Sequence, residues 1–303
     1  MEIRAARARY QDIGIYTGPL LCLLMLWIGP QGGLSVEAWR TAAVGSWMAV
    51  WWATEARPVG VTAFLPLILF APLGIATLKG AASHYANPII YLYLGGFLIA
   101  LAMQRWDLHK RIALMLLTVS GTNGRSLVGG FMLTAALLSM WMTNTSTTMM
   151  LLPIVSSVIA VIADTVKDID DAERSNFNLC LLLGTAFGAT IGGVATLVGT
   201  PPNAFLAAFL ADNYGIEISF ARWMLVGIPV TIIMLPLCWM ILTRFVYPIS
   251  FQTSQETQDL LVRLKNSLGP VSTAERRVGI IFLCVVAGWM LRPWFSRFLP
   301  LDG

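Results

Sequence analysis

The sequence predicts an all-α integral membrane protein with several spans, a re-entrant helical hairpin and a broken helix. Hydrophobic residues make up 57% of the 303 residues and charged residues only 12%, against about 25% charged in soluble proteins. The mean hydropathy is +0.72. Two polar clusters, residues 139–153 and 192–203, interrupt apolar segments. An unpaired polar group in hydrocarbon is costly, so these clusters must face protein, water or a ligand.

The first span is predicted over residues 13–29. Three arginines precede it, which places the N-terminus in the cytoplasm by the positive-inside rule: Arg4, Arg7 and Arg9. This segment lacks an A-x-A cleavage pattern and is followed by further spans, so we infer no signal peptide.

Two short spans follow, over residues 39–54 and 59–75, joined by a turn at Pro58. Glu55 and Arg57 in this turn can form an intramembrane charged pair or an interfacial ion pair. Their position at a proline-capped turn favours the interfacial pair.

A fourth span, over residues 87–104, leads to an amphipathic segment, residues 108–119, that suits the cytoplasmic interface. The apolar segment of residues 127–162 carries Asn144 and several hydroxyls in its middle, and such residues favour helix breaks and caps. We therefore expect two half-helices that meet at a polar tip and return to one side. The following charged loop, residues 164–174, includes Lys167 and Asp168.

The glycine-rich break of residues 192–203 lies between two arms, residues 177–191 and 204–210, which together cross the membrane once. Further elements are a span over residues 223–247, a cytoplasmic amphipathic helix within 250–273, and a span over 278–294. Counting the hairpin as non-crossing places every basic cluster in the cytoplasm, whereas counting it as a span reverses everything after it.

Several function classes are disfavoured. The net charge of +4 is better explained by basic cytoplasmic loops than by nucleic-acid binding. The histidines, His84 and His109, stand apart, and neither indicates a metal site. The cysteines lie in apolar stretches without CxxC spacing and are interpreted as packing residues: Cys22, Cys180, Cys238 and Cys284. An intramembrane enzyme would need a nucleophile with a base, a carboxylate pair or an HExxH motif, and none occurs at membrane depth.

Two broken helices predict one shared site, because transporters bind substrate and coupling ions where discontinuous helices meet. Sodium takes oxygen ligands such as hydroxyls and carbonyls. Ser139 and Thr143 are one helical turn apart, so their oxygens are expected on one face, beside Asn144. Gly199 offers a backbone carbonyl, and half-helix N-termini with Asn144 or Thr145 can donate to a carboxylate. The alternative is that these residues only join helices.

Three motifs resemble signatures of the divalent-anion:sodium symporter family of dicarboxylate and sulfate transporters. They are Thr143-Asn144-Thr145, the stretch of residues 51–59 with the sequence WWATEARPV, and residues 198–203 with the sequence VGTPPN. The resemblance implies that the chain is a helical transporter half. It implies a sodium site at Ser139, Thr143, Asn144 and Gly199. It also implies a substrate site at Asn144, Thr145, Thr200, Pro201 and Asn203.

Members of that family carry an inverted second repeat, and this chain ends where that repeat begins. We expect a truncated product; assembly from two half-size chains is the alternative. The expected regions are scaffold-like helices in residues 1–121, the transport site in 122–212, and a linking span with the start of the second repeat in 213–303.

The expected activity is sodium-coupled symport of a small dianion, such as a C4-dicarboxylate, citrate or sulfate, by a homodimer in the lipid of the cell (inner) membrane. The alternatives are a sodium-independent exchanger of the same fold and a non-transporting scaffold.

Overall fold

The computed structural model describes residues 8–121, 123–166, 169–252 and 255–295. Helices make up the architecture, and the described residues contain one isolated β-bridge, between Asn123 and Gln252. The helices are α1 (Arg9–Ile28), α2 (Val36–Ala53), α3 (Val59–Ala63), α4 (Leu65–Leu69), α5 (Leu78–Tyr85), α6 (Pro88–Arg105), α7 (Leu108–Leu117), α8 (Gly124–Ser139), α9 (Asn144–Thr165), α10 (Asp171–Gly193), α11 (Pro201–Tyr214), α12 (Phe220–Met240), a π-helix (Ile241–Val246), α13 (Gln255–Ser267) and α14 (Thr273–Phe295).

The all-α membrane fold is confirmed. Four helical stretches of the described chain are long and apolar enough to cross a membrane. They are Arg9–Ile28, Leu78–Arg105, Asn144–Thr165 and Phe220–Val246. The predicted spans over residues 39–54 and 278–294 are helical as α2 and α14, although they fall outside these four stretches.

The chain divides into two compact units, Met1–Pro88 and Ile89–Gly303. In the first unit, α1 packs on α2 around Cys22, Ala43 and Val44. The predicted continuous span over residues 59–75 is wrong, because two five-residue helices, α3 and α4, occupy only its first part. Pro66 has no N–H for a helical bond to the preceding turn, which explains why the helix is interrupted there.

The core of the second unit is formed by α8, α9 and α10 with α13. Leu127 at the start of α8 and Ile162 at the end of α9 share one buried cluster, while Leu138 and Leu151 near the opposite ends share another. The two helices therefore run antiparallel, as a helical hairpin.

Glycines let α10 approach α8 closely. A Cβ on Gly188 would lie 2.5 Å from the Met132 carbonyl oxygen, and one on Gly192 would lie 2.2 Å from the Ala136 oxygen. No side chain larger than hydrogen fits at either position. Small residues four apart allow this kind of helix contact in membranes, and the contact fixes the end of α10 beside the end of α8.

The predicted amphipathic segments are confirmed as α7 and α13. In α7, Arg111 pairs with Glu275 of α14, with Nε 3.0 Å from Oε1. Arg111 also donates to the carbonyl of Gly269 at 3.0 Å. The pair therefore connects α7 to the α13–α14 turn and to the first turn of α14. The predicted loop residues Lys167 and Asp168 lie outside the described residues.

Candidate functional site

The first predicted interruption is the break between α8 and α9. Helix α8 ends at Ser139, and α9 begins at Asn144. Thr143 has an extended backbone (φ −66°, ψ 147°) and its hydroxyl accepts the Ser146 N–H at 3.2 Å. It is therefore the N-cap of α9, a position that Ser, Thr, Asp and Asn prefer. The predicted break in the helix is confirmed.

The hydroxyls at this tip pair differently from the sequence-based expectation. A shared helical face for Ser139 and Thr143 is wrong, because the helix ends between them. Ser139, which is fully buried, donates instead to Oδ1 of Asn144 at 2.7 Å. The Thr143 hydroxyl donates to Oγ of Ser146 at 2.8 Å. Ser139 and Asn144 thus form one pair at the tip, and Thr143 and Ser146 form another.

The second interruption, residues 194–200, separates α10 from α11. The predicted arms, residues 177–191 and 204–210, lie within these two helices. Thr200 precedes α11 with an extended backbone (φ −150°, ψ 143°). Pro201 and Pro202 form the first turn of α11, where the missing proline N–H groups would have no helical partner anyway.

One buried threonine connects the two interruptions. The Thr196 hydroxyl donates to the Met140 carbonyl in the first break and accepts the Gly199 N–H at 3.1 Å. Thr196 is fully buried, so these backbone groups take the place of water as the hydrogen-bond partners of its hydroxyl. We did not predict this residue as part of the site; a hydroxyl in the middle of an apolar break is the signal that would have indicated it.

Two glycines bring the first and second breaks into close contact. A Cβ on Gly193 would lie 2.5 Å from Oδ1 of Asn144 and 3.3 Å from the Gly199 carbonyl oxygen. A Cβ on Gly199 would in turn lie 2.4 Å from the Gly193 oxygen. The Asn144 side chain and the Gly199 carbonyl therefore both lie against Gly193.

The Asn203 side chain holds the backbone of the second break by hydrogen bonds. It is buried, and its Nδ2 donates to the carbonyl oxygens of Gly193 at 2.9 Å and Thr196 at 2.7 Å. These carbonyls are freed where α10 ends, so the amide replaces helical hydrogen bonds that the break removes.

The remaining predicted substrate residues are more accessible than Asn203. Thr145 and Pro201 are exposed, and Thr200 is half-buried. Within the described chain, no hydrogen bond joins Thr145 to Thr200. The structure therefore brings Ser139, Asn144 and Gly199 together around Gly193, and leaves the hydroxyls of Thr145 and Thr200 on the more open part of the site.

Helix α12 supports the second break with residues spaced four apart. Trp223 donates its indole N–H to the Val194 carbonyl at 2.9 Å, and the Thr231 hydroxyl donates to the Ile191 carbonyl at 3.2 Å. Between them, a Cβ on Gly227 would lie 2.7 Å from the Val194 oxygen. This row was not predicted, although its i, i+4, i+8 spacing is visible in the sequence.

Four helix ends meet in this region: the C-terminal ends of α8 and α10 and the N-terminal ends of α9 and α11. Helix C-termini carry partial negative charge and favour cations, whereas N-termini favour anions. The predicted ligand set contains hydroxyls, an amide and backbone carbonyls but no carboxylate. No group of three or more His, Cys, Asp or Glu occurs in the part of the chain that the structure describes. The arrangement can hold a hard monovalent cation beside an anion.

Membrane transporters commonly build their binding sites from interrupted helices whose polar ends lie among apolar spans. The chain matches the family described as the sodium:sulfate symporter transmembrane region over residues 15–297, and it belongs to that family.

The chain is similar to proteins that are longer than itself. The chain is 36% identical over 289 residues to "Sodium-dependent dicarboxylate transporter SdcS" of Staphylococcus saprophyticus, covering 95% of this chain and 56% of the relative. It is 37% identical over 297 residues to the protein of the same name from Staphylococcus aureus strain RF122, covering 95% and 55%. The chain thus spans about half the length of these curated relatives.

Proposed function

We propose that this chain takes part in sodium-coupled symport of a small divalent anion, with a C4-dicarboxylate as the leading substrate and citrate or sulfate as further candidates. The convergence of Asn144 and the Gly199 carbonyl on Gly193 carries the proposal. It supplies oxygens from both breaks at one place. The names of the relatives support both the sodium dependence and the dicarboxylate.

Sodium is assigned to Ser139, Thr143, Asn144 and Gly199. Each offers an uncharged oxygen, and this chemistry suits a hard cation. The hydroxyls of Ser139 and Thr143 already donate their hydrogens to Asn144 and Ser146. Each hydroxyl oxygen therefore keeps at least one lone pair that can bind the ion. As the set has no carboxylate to titrate, binding should depend on sodium more than on pH.

The dianion is assigned to Asn144, Thr145, Thr200, Pro201 and Asn203. Asn144 and Pro201 begin α9 and α11, where helix N-termini favour negative charge. The hydroxyls of Thr145 and Thr200 would donate to the carboxylates. Asn203 would act by holding the backbone of the break, because its Nδ2 already donates to three of its carbonyls.

The wider arrangement is part of the same proposal. The chain would work as a homodimer in the lipid of the cell (inner) membrane, with a cytoplasmic N-terminus and a hairpin that re-enters from one side. Residues 1–121 would form a scaffold, 122–212 the transport site, and 213–303 the link to a second repeat. The curated relatives, about twice as long, have room for such a repeat.

Uptake of radiolabelled C4-dicarboxylate into proteoliposomes tests the proposal, with sodium chloride outside in one arm and choline chloride in the other. Uptake in sodium alone supports symport. Equal uptake in both salts favours a sodium-independent exchanger of the same fold. Absence of uptake together with absence of ligand-dependent stabilisation would favour a non-transporting scaffold and contradict the proposal.

A further inference from the structure

A basic pocket of about 380 Å³ lies at the start of α8, and its lining includes none of the residues assigned to sodium or substrate. We propose that this pocket binds a phosphate group at the membrane interface. The pocket volume lies within the usual range for small-molecule sites. Its lining residues are Asn123, Arg125, Ser126, Trp239, Arg244, Ile249, Ser250, Phe251 and Gln252.

Two arginines supply the charge. Arg125 donates through Nε to the Ile249 carbonyl, which fixes the direction of its guanidinium. Arg244 is exposed and stands on the π-helix. Neither has a carboxylate within 4.0 Å among the described residues. Guanidinium groups that lack a carboxylate partner favour a phosphate, which they can bind with two parallel hydrogen bonds.

One carboxylate lies near the rim, and it is already occupied. Oε1 of Glu173 accepts the Ser250 hydroxyl at 2.7 Å and also the Ser250 N–H. These hydrogen bonds occupy Oε1 of the carboxylate. Two arginines against this one acid leave the pocket region with a surplus of one positive charge.

The pocket walls are held in place by the fold. Trp239 donates its indole N–H to the Arg125 carbonyl at 2.8 Å. The Gly124 N–H donates to the Phe251 carbonyl at 3.2 Å, next to the bridge between Asn123 and Gln252. The start of α8 adds the positive end of a helix dipole. A site whose walls are fixed before binding loses less entropy on binding.

The position of the pocket favours a lipid headgroup as the source of the phosphate. The candidate span Phe220–Val246 ends beside it. Phe245 and Val246 are 73% and 52% exposed, so apolar surface for acyl chains lies next to the basic groups. Basic pockets at the ends of spans suit anionic headgroups. Free inorganic phosphate shares the same chemistry and must be distinguished by experiment.

The test uses the full chain in nanodiscs of phosphatidylcholine, with or without phosphatidylglycerol, and counts bound lipid by native mass spectrometry. The variant is Arg125→Gln with Arg244→Gln. Its control is Arg276→Gln with Arg277→Gln, which removes the same charge from exposed positions at the start of α14. We expect the pocket variant to bind phosphatidylglycerol about tenfold more weakly, which is a loss of about 1.4 kcal/mol, because the variant removes both charged hydrogen-bond donors of the pocket. The control should retain wild-type binding.

Arg244→Gln alone, at an exposed position, keeps the test valid if the double variant fails to fold. Phosphatidylglycerol binding by the wild type that is weakened in the pocket variant assigns the site to lipid. Stabilisation by millimolar inorganic phosphate in phosphatidylcholine nanodiscs, lost in the pocket variant, assigns it to free phosphate. Equal lipid and phosphate binding by wild type, pocket variant and control would overturn the proposal.

Discussion

Ser139 donates its hydroxyl to Oδ1 of Asn144 across the break between α8 and α9, over 2.7 Å. Both residues lie at helix ends, one closing α8 and one opening α9. Because Oδ1 of Asn144 also lies against Gly193, this single amide joins the hairpin tip to the end of α10.

The first prediction concerns Gly193→Ala. The added methyl would lie 2.5 Å from Oδ1 of Asn144, so the Asn144 side chain must turn away from Gly193 and give up its position at the site. We expect a loss of about 1–3 kcal/mol in the free energy of unfolding, as in other overpacked sites, together with loss of sodium-dependent stabilisation. Denaturant unfolding in detergent measures the first effect.

Gly288→Ala is the matched control, because a Cβ there meets nothing within 4 Å in the helix α14. Alanine is the better helix former by roughly 0.5–1 kcal/mol, so this control should be neutral or stabilising. Equal effects of the two substitutions would contradict close contact at Gly193.

The second prediction concerns Trp223→Phe. The ring is retained but the indole N–H that satisfies the Val194 carbonyl is removed. This part-buried carbonyl keeps only the longer hydrogen bond from Asn203 Nδ2, at 3.5 Å. Loss of the indole hydrogen bond costs about 1 kcal/mol, so the stability should fall and sodium should bind more weakly. Thermal unfolding with and without sodium measures both.

Trp289→Phe serves as the control for lost ring volume, because Trp289 packs in the same apolar cluster. If both substitutions lower the stability and weaken sodium binding equally, packing rather than the hydrogen bond to Val194 explains the effect.

The third prediction concerns topology. If the hairpin of α8 and α9 re-enters the membrane, cysteines at Val119, before the hairpin, and Ala172, after it, should react with a membrane-impermeant maleimide from the same side. Both positions are exposed. The measurement requires a background in which the native cysteines are replaced. Labelling from opposite sides would show that the hairpin crosses the membrane.

The fourth prediction concerns pH. Arg111 lowers the pKa of the Glu275 carboxyl from its ordinary value of 4.5, mainly through the hydrogen bonds between them. A carboxyl with a lowered pKa stabilises the fold above its ordinary pKa and loses that contribution as the pH falls through the lowered value. Wild type should therefore be more stable than Glu275→Gln at pH 7, and the difference should shrink below about pH 4.

Glu256→Gln, at an exposed position in the first turn of α13, is the control for this titration. A stability difference between wild type and Glu275→Gln that stays constant down to about pH 3 would show that the Arg111 pair does not contribute through charge.

The sequence predicted the two breaks because their causes are local. Threonine and asparagine favour caps, glycine permits close approach, and proline cannot continue a helical hydrogen-bond ladder. The contacts between the breaks were not predictable in this way. Thr196 reaches Met140 over 56 residues of chain, and Trp223 reaches Val194 over 29. Such pairs depend on how α8, α10 and α12 pack, and no local pattern specifies that packing.

Local patterns also produced the two errors. Ser139 and Thr143 are one helical turn apart in the sequence, but Thr143 is the N-cap of the next helix. The two residues therefore belong to different helices and do not share a helical face. Residues 59–75 are apolar enough to resemble a span, but Pro66 divides the segment into two short helices. In both cases the hydrogen bonding of the backbone ended a helix that the spacing or apolar character of the sequence had predicted to continue.

The central claim, that the two breaks form one sodium site, is tested most directly by thermal unfolding of the full chain in sodium chloride and in choline chloride at equal ionic strength. A ligand that binds only the folded state raises the unfolding midpoint. We predict a higher midpoint in sodium for wild type and for Asn213→Ala, an exposed asparagine on α11, and no such difference for Asn144→Ala. Equal wild-type midpoints in the two salts, or an undiminished sodium effect in Asn144→Ala, would contradict the shared site.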